Sequence, residues 1–404
     1  MKRWCKREFL LMKIRMKYRS AIFTNIAPLY SRSLWRKLSS SENIDYSFYS
    51  SDVGFSGIKT IDINESKAIN LKGSLDWFFL KNYFIGRLLV YQTGIISKCL
   101  KTDYDAYILS GEMYSLSSWI AAIICKIRRK PLLFWGHGLY GNERNIKRIL
   151  RNLYYKIPDY HLVYGKRSKM FMIDSGLNPD KIYTVYNSLD YDAHCKIYEG
   201  RNLSELFKIK SKLFPKNGIL PVVLFIGRLT EEKKISYLIE AISICKNKGN
   251  QYNCLIVGGG EKTEDLQKLA VSLEVKDLIC FYGPSYDENI NSSFIMLSEC
   301  CVSPGNVGLT AIHSLSLGTP VITHSNFFNQ GPEVESVIQD QTGLFFEENN
   351  VVSLSEVIDD MIVNKKKSSM ESFCIEQVKK SWNPTNQASI FDKAILDLIK
   401  TRTD

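Results

Sequence analysis

Basic and glycine-containing turns occur where strands are expected to end between residues 222 and 343. Arg228 follows the strand-like run 222–226, and Lys233 precedes an expected helix. Open α/β sheets bind ligands at the carboxyl ends of their strands, and arginine and lysine bind phosphate as a planar fork and a point charge. We therefore predict that Gly227, Arg228 and Lys233 contact a diphosphate. A structural turn with solvated charges is the alternative.

A second candidate for phosphate binding is the segment that opens an expected helix over 309–317. Backbone N–H groups and the helix dipole attract anions at a helix N-terminus, although the same pattern also fits a plain helix cap. His313 lies inside this helix and either faces the ligand or is a buried core histidine. The residues assigned to the phosphate contact are Gly305, Asn306, Val307, Gly308 and Leu309.

Two further groups suit a nucleoside or a sugar. Gly258 and Gly260 follow an expected strand, but residue 263 is threonine where the dinucleotide fingerprint G-x-G-x-x-G needs glycine, which disfavours an NAD enzyme. The glycines either let the backbone approach a base or ribose, or make a tight turn. Glu333 and Glu335 offer carboxylates that accept hydrogen bonds from hydroxyl groups. Alternatively, they are favourable acids at a helix start.

The composition indicates a folded protein of two or three domains with a basic surface. The net charge is +11, and basic residues concentrate in residues 1–18 and again in 126–130. Such charge suits an anionic membrane surface or phosphate-rich substrates, or it reflects a generally basic, soluble surface. The ten cysteines form no CxxC pair and no cluster with histidine, so we expect reduced thiols in a cytoplasmic protein and no metal site.

Strands and helices alternate along most of the chain, which predicts parallel sheets with crossover helices. The first alternation runs over 19–185, and the second begins at Val222. Two stretches differ from this pattern. A hydrophobic helix is expected over 75–100, and the polar segment 191–218 is expected to connect two domains.

In order and spacing, the motifs of the second half resemble the C-terminal domain of family 4 of the GT-B glycosyltransferases, also called glycosyl transferases group 1. The likeness is carried by Gly227, Arg228, Leu229, Lys233, Val257–Gly260, Gly308–Leu309, Gly318–Ile322, Glu333 or Glu335, and Thr342–Gly343. The resemblance implies an α/β fold of the GT-B class, with two Rossmann-like parallel-sheet domains that face each other across a cleft.

The same resemblance implies a division of the chain. It gives a basic N-terminal extension (1–18), an acceptor-side domain (19–192), a linker (193–218), a nucleotide-sugar-binding domain (219–380) and a C-terminal helix that crosses back to the first domain (381–404). The N-terminal half matches less tightly. His137, after a buried strand, resembles the family's histidine beside the donor sugar, and Tyr30 and Arg32 occupy the loop expected to touch the acceptor.

The sequence departs from the family at two positions. The family usually carries two glutamates around the Gly-Leu step, and this chain has Gly305 and His313 there. In the family, the first glutamate holds donor-sugar hydroxyls and the second holds the ribose. Gly305 has no side chain for the first role, whereas His313 can form a hydrogen bond for the second. The resemblance therefore supports phosphate binding better than sugar selection.

The function implied is that of a retaining glycosyltransferase (EC 2.4 class) with His137, Arg228 and Lys233 as catalytic residues. Its donor would be a UDP- or GDP-linked sugar, and its acceptor a lipid-linked or surface-polysaccharide glycan such as lipopolysaccharide or capsule. No cofactor and no metal are expected, because Arg228 and Lys233 would neutralise the diphosphate and no D-x-D motif occurs. The donor-binding set adds Gly227, Gly258, Gly260, Gly305, Asn306, Val307, Gly308, Leu309, His313, Glu333 and Glu335.

The expected partners are the nucleotide-sugar, the glycan or lipid-linked acceptor and an anionic membrane surface, but not nucleic acid. The expected location is cytoplasmic, or peripheral on the inner face of the plasma membrane. The main alternative is a non-catalytic GT-B homologue that binds a nucleotide-sugar or glycan, which the two missing glutamates favour. A GT-B sugar epimerase or phosphorylase is a third candidate.

Overall fold

The structure is a computed structural model that describes residues 17–51, 59–61, 76–86, 89–141 and 145–403. The chain divides into two compact units, Met1–Val185 with Pro384–Asp404, and Tyr186–Asn383. The basic extension expected over residues 1–18 lies almost wholly outside the described residues. Within the described ranges, no helix is both long and apolar enough to cross a membrane.

The first unit is built on a seven-stranded parallel sheet of order β3-β2-β1-β6-β7-β8-β9, accompanied by an antiparallel β4–β5 hairpin. Apolar runs such as Leu132–Gly136 are buried along their whole length, as parallel strands covered on both faces require. Its described strands are β1 (Tyr18–Ile26), β2 (Ile44–Ser51), β3 (Asp76–Phe79), β4 (Asn82–Ile85), β5 (Leu89–Gln92), β6 (Ala106–Ser110), β7 (Leu132–Gly136), β8 (Tyr160–Val163) and β9 (Ile182–Thr184).

Helices cover both faces of this sheet. Of the described helices up to residue 174, one packs on the face where Leu34 and Trp35 join the core, and four pack on the other face, whose core includes Ala121 and Tyr155. The described helices up to residue 174 are α1 (Arg32–Ser39), α2 (Ile95–Lys101), α3 (Leu116–Ile127), α4 (Asn145–Tyr155) and α5 (Lys166–Asp174). The last four form one helical layer.

The helix expected over 75–100 is wrong. The described residues of that stretch form β3, β4, β5 and only the short helix α2. An apolar run alone does not separate a strand from a helix. Here Trp77 stacks on Phe48 of the neighbouring strand with ring centroids 5.3 Å apart, and Gly94 adopts a left-handed φ of 84° just before α2.

The second unit contains a six-stranded parallel sheet of order β12-β11-β10-β13-β14-β15. Its strands are β10 (Val222–Ile226), β11 (Asn253–Val257), β12 (Ile279–Gly283), β13 (Cys300–Ser303), β14 (Val321–His324) and β15 (Gly343–Phe346). Its helices are α6 (Tyr191–Glu199), α7 (Leu203–Leu213), α8 (Ile235–Asn247), α9 (Thr263–Ser272), α10 (Glu288–Leu297), α11 (Thr310–Ser316), α12 (Val351–Val363) and α13 (Lys366–Ser381). The expectation of two parallel-sheet α/β units is confirmed.

The segment 193–218 is mainly helical and belongs to the second unit. Its two helices, α6 and α7, have local start signals: Asp190 accepts a hydrogen bond from the amide of Ala193, and Asn202 accepts bonds from the amides of Ser204 and Glu205. Such N-caps satisfy backbone donors that a helix start leaves open. The polar composition therefore reflects capped surface helices.

The last helix, α14 (Pro384–Thr403), belongs to the first unit. Phe391 and Ile395 join the same core as Trp35. Asp392 accepts a hydrogen bond from the hydroxyl of Tyr46 at 2.7 Å. This helix therefore completes the face of the sheet that α1 begins to cover.

Candidate functional site

The loops at the carboxyl ends of β10, β11 and β12 are joined by backbone hydrogen bonds beyond the strands. The amide of Gly227 donates to Val257 O at 3.0 Å, and the amide of Gly258 donates to Gly283 O at 2.9 Å. Leu229 N also donates to Gly259 O at 3.0 Å. The two predicted turns after β10 and β11 are thus joined to each other and to the loop after β12.

Gly258 and Gly260 are required by the close approach of other backbone atoms. A Cβ on Gly258 would lie 1.8 Å from Gly227 O, and one on Gly260 would lie 2.3 Å from Leu229 O. Gly258 also has a φ of 147°, which disfavours residues with a side chain. The predicted contact of these glycines with a base or ribose stays a prediction.

Lys233 is held at this edge by two hydrogen bonds. Its Nζ donates to Asn306 O at 2.7 Å and to Asn306 Oδ1 at 2.8 Å. Burial lowers the pKa of Lys233, and the nearby charge of Arg228 lowers it further, while Glu333 and Glu232 oppose the effect. The ammonium group therefore occupies a place where positive charge is disfavoured and a bound anion would be favourable.

Gly305 packs directly against the backbone that carries Lys233. Its amide donates to Lys233 O at 3.1 Å, and a Cβ at position 305 would lie 2.0 Å from Glu232 O. With this backbone, position 305 has no room for the glutamate that the family usually carries. A glutamate at position 305 would therefore require the loop over 232–233 to follow a different path.

The helix after this loop, α11, begins at Thr310. At least one backbone amide just before the helix already donates a hydrogen bond within the protein. Val307 N donates to Gln330 Oε1 at 2.7 Å, and the Gln330 amide group donates to Thr323 Oγ1 at 2.9 Å. Gly308 borders open space, since an added Cβ would meet no heavy atom within 4 Å. The predicted phosphate contact is therefore most open around Gly308.

The two predicted carboxylates have different surroundings. Glu333 is buried, and its Oε1 accepts a hydrogen bond from Asn187 Nδ2 at 2.8 Å. Glu335 is half-buried and, after burial itself, contributes to raising the pKa of Tyr186 to about 12. We call Arg228 and Lys233 the cation pair. Because the charge of Glu333 raises the pKa of Lys233, Glu333 is the predicted carboxylate associated with this pair.

Three helices bring together His194, Glu288 and His313. Glu288 Oε1 lies 3.1 Å from His194 Nε2 and 2.7 Å from His313 Nε2. Ser316 Oγ donates to His313 O and lies 2.8 Å from His194 Nδ1. His313, predicted to face the donor, is therefore in contact with another side chain of the protein.

Charge and burial oppose each other in this cluster. Burial alone would raise the pKa of Glu288, but its contacts with His194 and His313 outweigh burial and hold that pKa well below the usual range. Burial lowers the pKa of His313, with partial opposition from Glu288. The cluster therefore favours an ionised carboxylate.

The same three side chains are the group, among the residues that the structure describes, that could hold a metal ion. Their ligand atoms lie within 4.8 Å of one another. However, the rings of His194 and His313 are stacked at 4.7 Å with an interplanar angle of 13°. Imidazole binds metal through a lone pair in the ring plane, so two stacked rings do not point at one ion. This geometry fits an ionic cluster better than a metal centre.

In the first unit, His137 follows β7 and is half-buried. Its ring centroid lies 5.0 Å from that of Tyr164, and its carbonyl accepts a hydrogen bond from Ser168 Oγ at 2.5 Å. Tyr30 is an exposed residue just before α1, and Arg32 is the first residue of that helix. Their predicted roles toward sugar and acceptor stay predictions.

Sequence reasoning missed three polar residues that help to build this edge: Asn187 as the partner of Glu333, Gln330 as the partner of Val307, and Glu288. None of the three carries a sequence signal for its contact, because each partner lies on a separate element. Hydrogen bonds between distant elements appear only once the fold is known.

Comparison with known proteins adds to this picture. The family described as Glycosyl transferases group 1 matches residues 206–380. An uncharacterized glycosyltransferase of Haemophilus influenzae is 26% identical over 186 residues, which are 42% of this chain and 51% of that protein. The alpha-monoglucosyldiacylglycerol synthase of Streptococcus pneumoniae is 29% identical over 143 residues, 35% of this chain and 30% of that protein. The chain thus spans about half or less of the length of these curated relatives.

Among solved structures, HepE of Anabaena in complex with UDP superimposes with a TM-score of 0.71 at 16% identity, covering 95% of this chain and 100% of that one. The fold of the two parallel-sheet units is accordingly of the GT-B class. Through residues 206–380, the chain is similar to the glycosyl transferases group 1 family. The resemblance derived from the motifs between Gly227 and Gly343 is confirmed.

Proposed function

We propose that this chain is a retaining glycosyltransferase that uses a nucleotide-sugar donor bound by its second unit. The cation pair at the strand ends carries the proposal. Lys233 lies half-buried beside Arg228, and both burial and the like charge lower its pKa. A diphosphate would offset this cost, because phosphate oxygens accept charge-assisted hydrogen bonds from both groups.

The proposed chemistry is mainly electrostatic. As the bond between the sugar and the phosphate breaks, negative charge grows on the leaving diphosphate, and Arg228 and Lys233 stabilise it. The amides around Gly308 add backbone donors at the start of α11. The leaving phosphate takes the proton of the acceptor hydroxyl on the same face of the sugar, so the anomeric configuration is retained.

A UDP-linked donor is our first choice, because HepE of Anabaena was solved with UDP; a GDP-linked donor is the alternative. We further propose that Gly258 and Gly260 line the nucleoside pocket and that Glu333 acts through Lys233. His137 of the first unit would serve the donor sugar, and Tyr30 and Arg32 would contact the acceptor.

For the acceptor we propose a lipid-linked or growing surface glycan. The support is indirect: the relative from Streptococcus pneumoniae is named for a glucosylated diacylglycerol, and the chain has a net charge of +11, which suits an anionic membrane surface. A location on the inner face of the plasma membrane belongs to the same proposal.

The test is donor binding and turnover with a panel of UDP- and GDP-sugars. Affinity is measured by titration calorimetry, and turnover is measured as nucleotide released with and without acceptor lipid. We expect Arg228→Ala and Lys233→Ala each to lower turnover by about 10²-fold or more, because each removes a charge partner of the transition state. Near-normal turnover in both variants would contradict the placement of the site.

Lys234 provides a matched control for Lys233. It is the next residue in the chain, but its Nζ is directed to Asn349 Oδ1 at 2.6 Å and to Glu348 at 3.5 Å. Lys234→Ala removes the same charge from the same turn without touching the Asn306 contact. Equal losses in Lys233→Ala and Lys234→Ala would mean that general positive charge, and not the cation pair, supports turnover.

A second candidate is a binding protein that has lost catalysis. Gly305 has no room for a carboxylate, and His313 contacts Glu288, so two groups that the family uses toward the donor are absent or engaged. Saturable binding of a nucleotide-sugar without nucleotide release from any donor, with acceptor lipids supplied, would favour this candidate over the enzyme.

A further inference from the structure

Helix α3 of the first unit presents an aliphatic stripe to solvent. The spacing of four, three and four residues places these side chains on one side of the helix. The opposite side, with Ala121 and Cys125, is buried against the sheet. Ile127 is 76% exposed. The exposed stripe consists of Leu116, Ile120, Ile123 and Ile127.

Helix α4 repeats the arrangement. Its buried side holds Tyr154 and Tyr155, while Ile146 on the outer side is 71% exposed. The amphipathic pattern of α4 is thus inverted relative to a core-facing helix, because its aliphatic stripe points away from the sheet. The exposed stripe consists of Ile146, Ile149, Leu150 and Leu153.

The two stripes belong to neighbouring helices of one layer. The ring of Trp119 in α3 lies 4.6 Å from the ring of Tyr154 in α4, and both helices pack on the same core. Both stripes therefore point outward from the same face of the unit. We call the eight side chains together the aliphatic face. Monomeric proteins rarely expose continuous apolar surface of this kind without a partner.

The β4–β5 hairpin adds an aromatic and an aliphatic side chain at one end of α3. The amide of Gln92 in β5 donates to Ser117 Oγ of α3 at 2.9 Å, which holds the hairpin beside the helix. Tyr83 and Ile85 of β4 are both more than half exposed. Aromatic rings at the edge of an apolar surface are typical of the boundary between water and lipid.

Charge identifies the partner of the aliphatic face. In α2, α3, α4 and α5, every charged residue is lysine or arginine except Asp174. Lys147 and Arg148 are exposed within α4, next to the stripe. Two copies of such a surface would repel each other, whereas an anionic surface would attract it. An apolar stripe with lysine and arginine around it is the pattern of helices that lie in a lipid interface.

We propose that the aliphatic face docks the first unit onto an anionic lipid bilayer, with the stripes of α3 and α4 in the headgroup region. This inference extends the proposed function by locating the surface that meets a lipid-borne acceptor, yet it does not depend on the donor chemistry. Insertion supplies the apolar part of the affinity, and the basic residues supply a part that falls with ionic strength.

The test is co-sedimentation of the full chain with vesicles of phosphatidylcholine alone and of equal parts phosphatidylcholine and phosphatidylglycerol. We expect binding to the anionic vesicles that weakens with added salt. The variant Ile123→Ser/Ile149→Ser should lower the partition coefficient by about tenfold or more, because it removes two of the inserted side chains. The control Ile219→Ser/Val363→Ser changes two aliphatic residues of the second unit that are at least as exposed and should bind like the unaltered chain.

Hydrogen–deuterium exchange gives a readout that needs no variant. Vesicles should slow exchange in α3 and α4 more than in the helices of the second unit. Protection confined to other elements would overturn the proposal, as would equal partition of the two double variants. Self-association of the unaltered chain that the Ile123→Ser/Ile149→Ser variant abolishes, without vesicle binding, would assign the face to a second copy and also overturn it.

Nucleotide-sugar binding is measured in the same samples without vesicles. Loss of vesicle binding with intact donor affinity would contradict the docking face alone. Loss of donor affinity with intact vesicle binding would contradict the proposed donor site alone. The two proposals therefore fail separately.

Discussion

The strand ends of the second unit and the aliphatic face of the first unit differ in how far their groups contact other parts of the protein. At the strand ends, Lys233, Gly305 and Val307 are fixed by hydrogen bonds to neighbouring backbone or side chains. On the aliphatic face, the described helices expose isoleucine and leucine side chains to solvent. The first surface depends on the exact path of the backbone, and the second depends on apolar area. Substitutions should separate them.

The largest effect is expected from Gly305→Ala. Its Cβ would lie 2.0 Å from Glu232 O, so the backbone before Lys233 must move. Forced overpacking costs about 1–3 kcal/mol of unfolding free energy, and displacement of Lys233 should lower donor turnover by about 10²-fold. Denaturant unfolding and nucleotide release measure the two effects.

Gly308→Ala is the comparison for Gly305→Ala, because an added Cβ at 308 meets open space. It should leave the unfolding free energy nearly unchanged. If both glycine variants destabilise the chain equally, the cost lies in the general flexibility of the loop and the close approach at Gly305 is not responsible.

Asn187→Ala is expected to lower the unfolding free energy. The variant leaves buried Glu333 without the 2.8 Å hydrogen bond from Asn187. An unsatisfied buried acceptor costs about 1–3 kcal/mol, to be measured by denaturant unfolding. In Glu333→Gln, the same Asn187 change should cost less, since the side chain at 333 is then neutral. Equal costs in both backgrounds would mean that the bond does not depend on the charge of Glu333.

The cluster of His194, Glu288 and His313 should make stability depend on pH. Because the folded state lowers the pKa of Glu288, its stabilisation is complete above the ordinary value of 4.5 and is lost as pH falls below it. The lowered pKa of His313 also reduces the unfolding free energy as pH falls below 6.5, because the unfolded chain binds the proton more readily. Unfolding free energy should therefore fall on acidification.

Glu288→Gln should flatten the acid side of that profile, as measured by urea unfolding at a series of pH values. Glu240→Gln provides a control of opposite sign, because burial raises the pKa of Glu240. Removing that carboxylate should raise stability at neutral pH. A profile unaltered by Glu288→Gln would rule out the cluster as the source of the pH dependence.

The smallest effect on stability is expected on the aliphatic face. Ile123→Ser/Ile149→Ser should alter the unfolding free energy by no more than about 0.5 kcal/mol for each exposed site, while vesicle binding is lost. Chemical unfolding in the absence of lipid measures this. A loss of several kcal/mol would mean that the stripes pack within the protein, which would remove the contrast between the two surfaces.

The sequence predicts local features of this molecule better than contacts between distant elements. Buried runs such as Leu132–Gly136, which end in glycine, predict the parallel strands. The motifs from Gly227 to Gly343 predict the fold class. The aromatic run of β3 is wrongly predicted as helix, because its pairing with β2 decides between strand and helix. The Asn187–Glu333 bond joins positions 146 residues apart, beyond any local pattern.

The aliphatic stripe of α4 shows another limit. Its spacing at 146, 149, 150 and 153 indicates an amphipathic helix, and such a stripe ordinarily faces the core. In the structure, Tyr154 and Tyr155 face the core instead. Periodicity thus finds the two sides of a helix, but which side turns inward depends on the packing of its neighbours.

The position of α14 has a consequence for how the chain is made. Phe391 and Ile395 fill the same core as Trp35, and Arg402 pairs with Asp159 at 2.7 Å. During synthesis the first unit emerges first from the ribosome, but its core stays open until residues 384–403 have emerged. The second unit, whose residues are contiguous, can complete its folding earlier. The nascent first unit therefore exposes apolar surface for most of translation, and chaperones have that whole period to engage it.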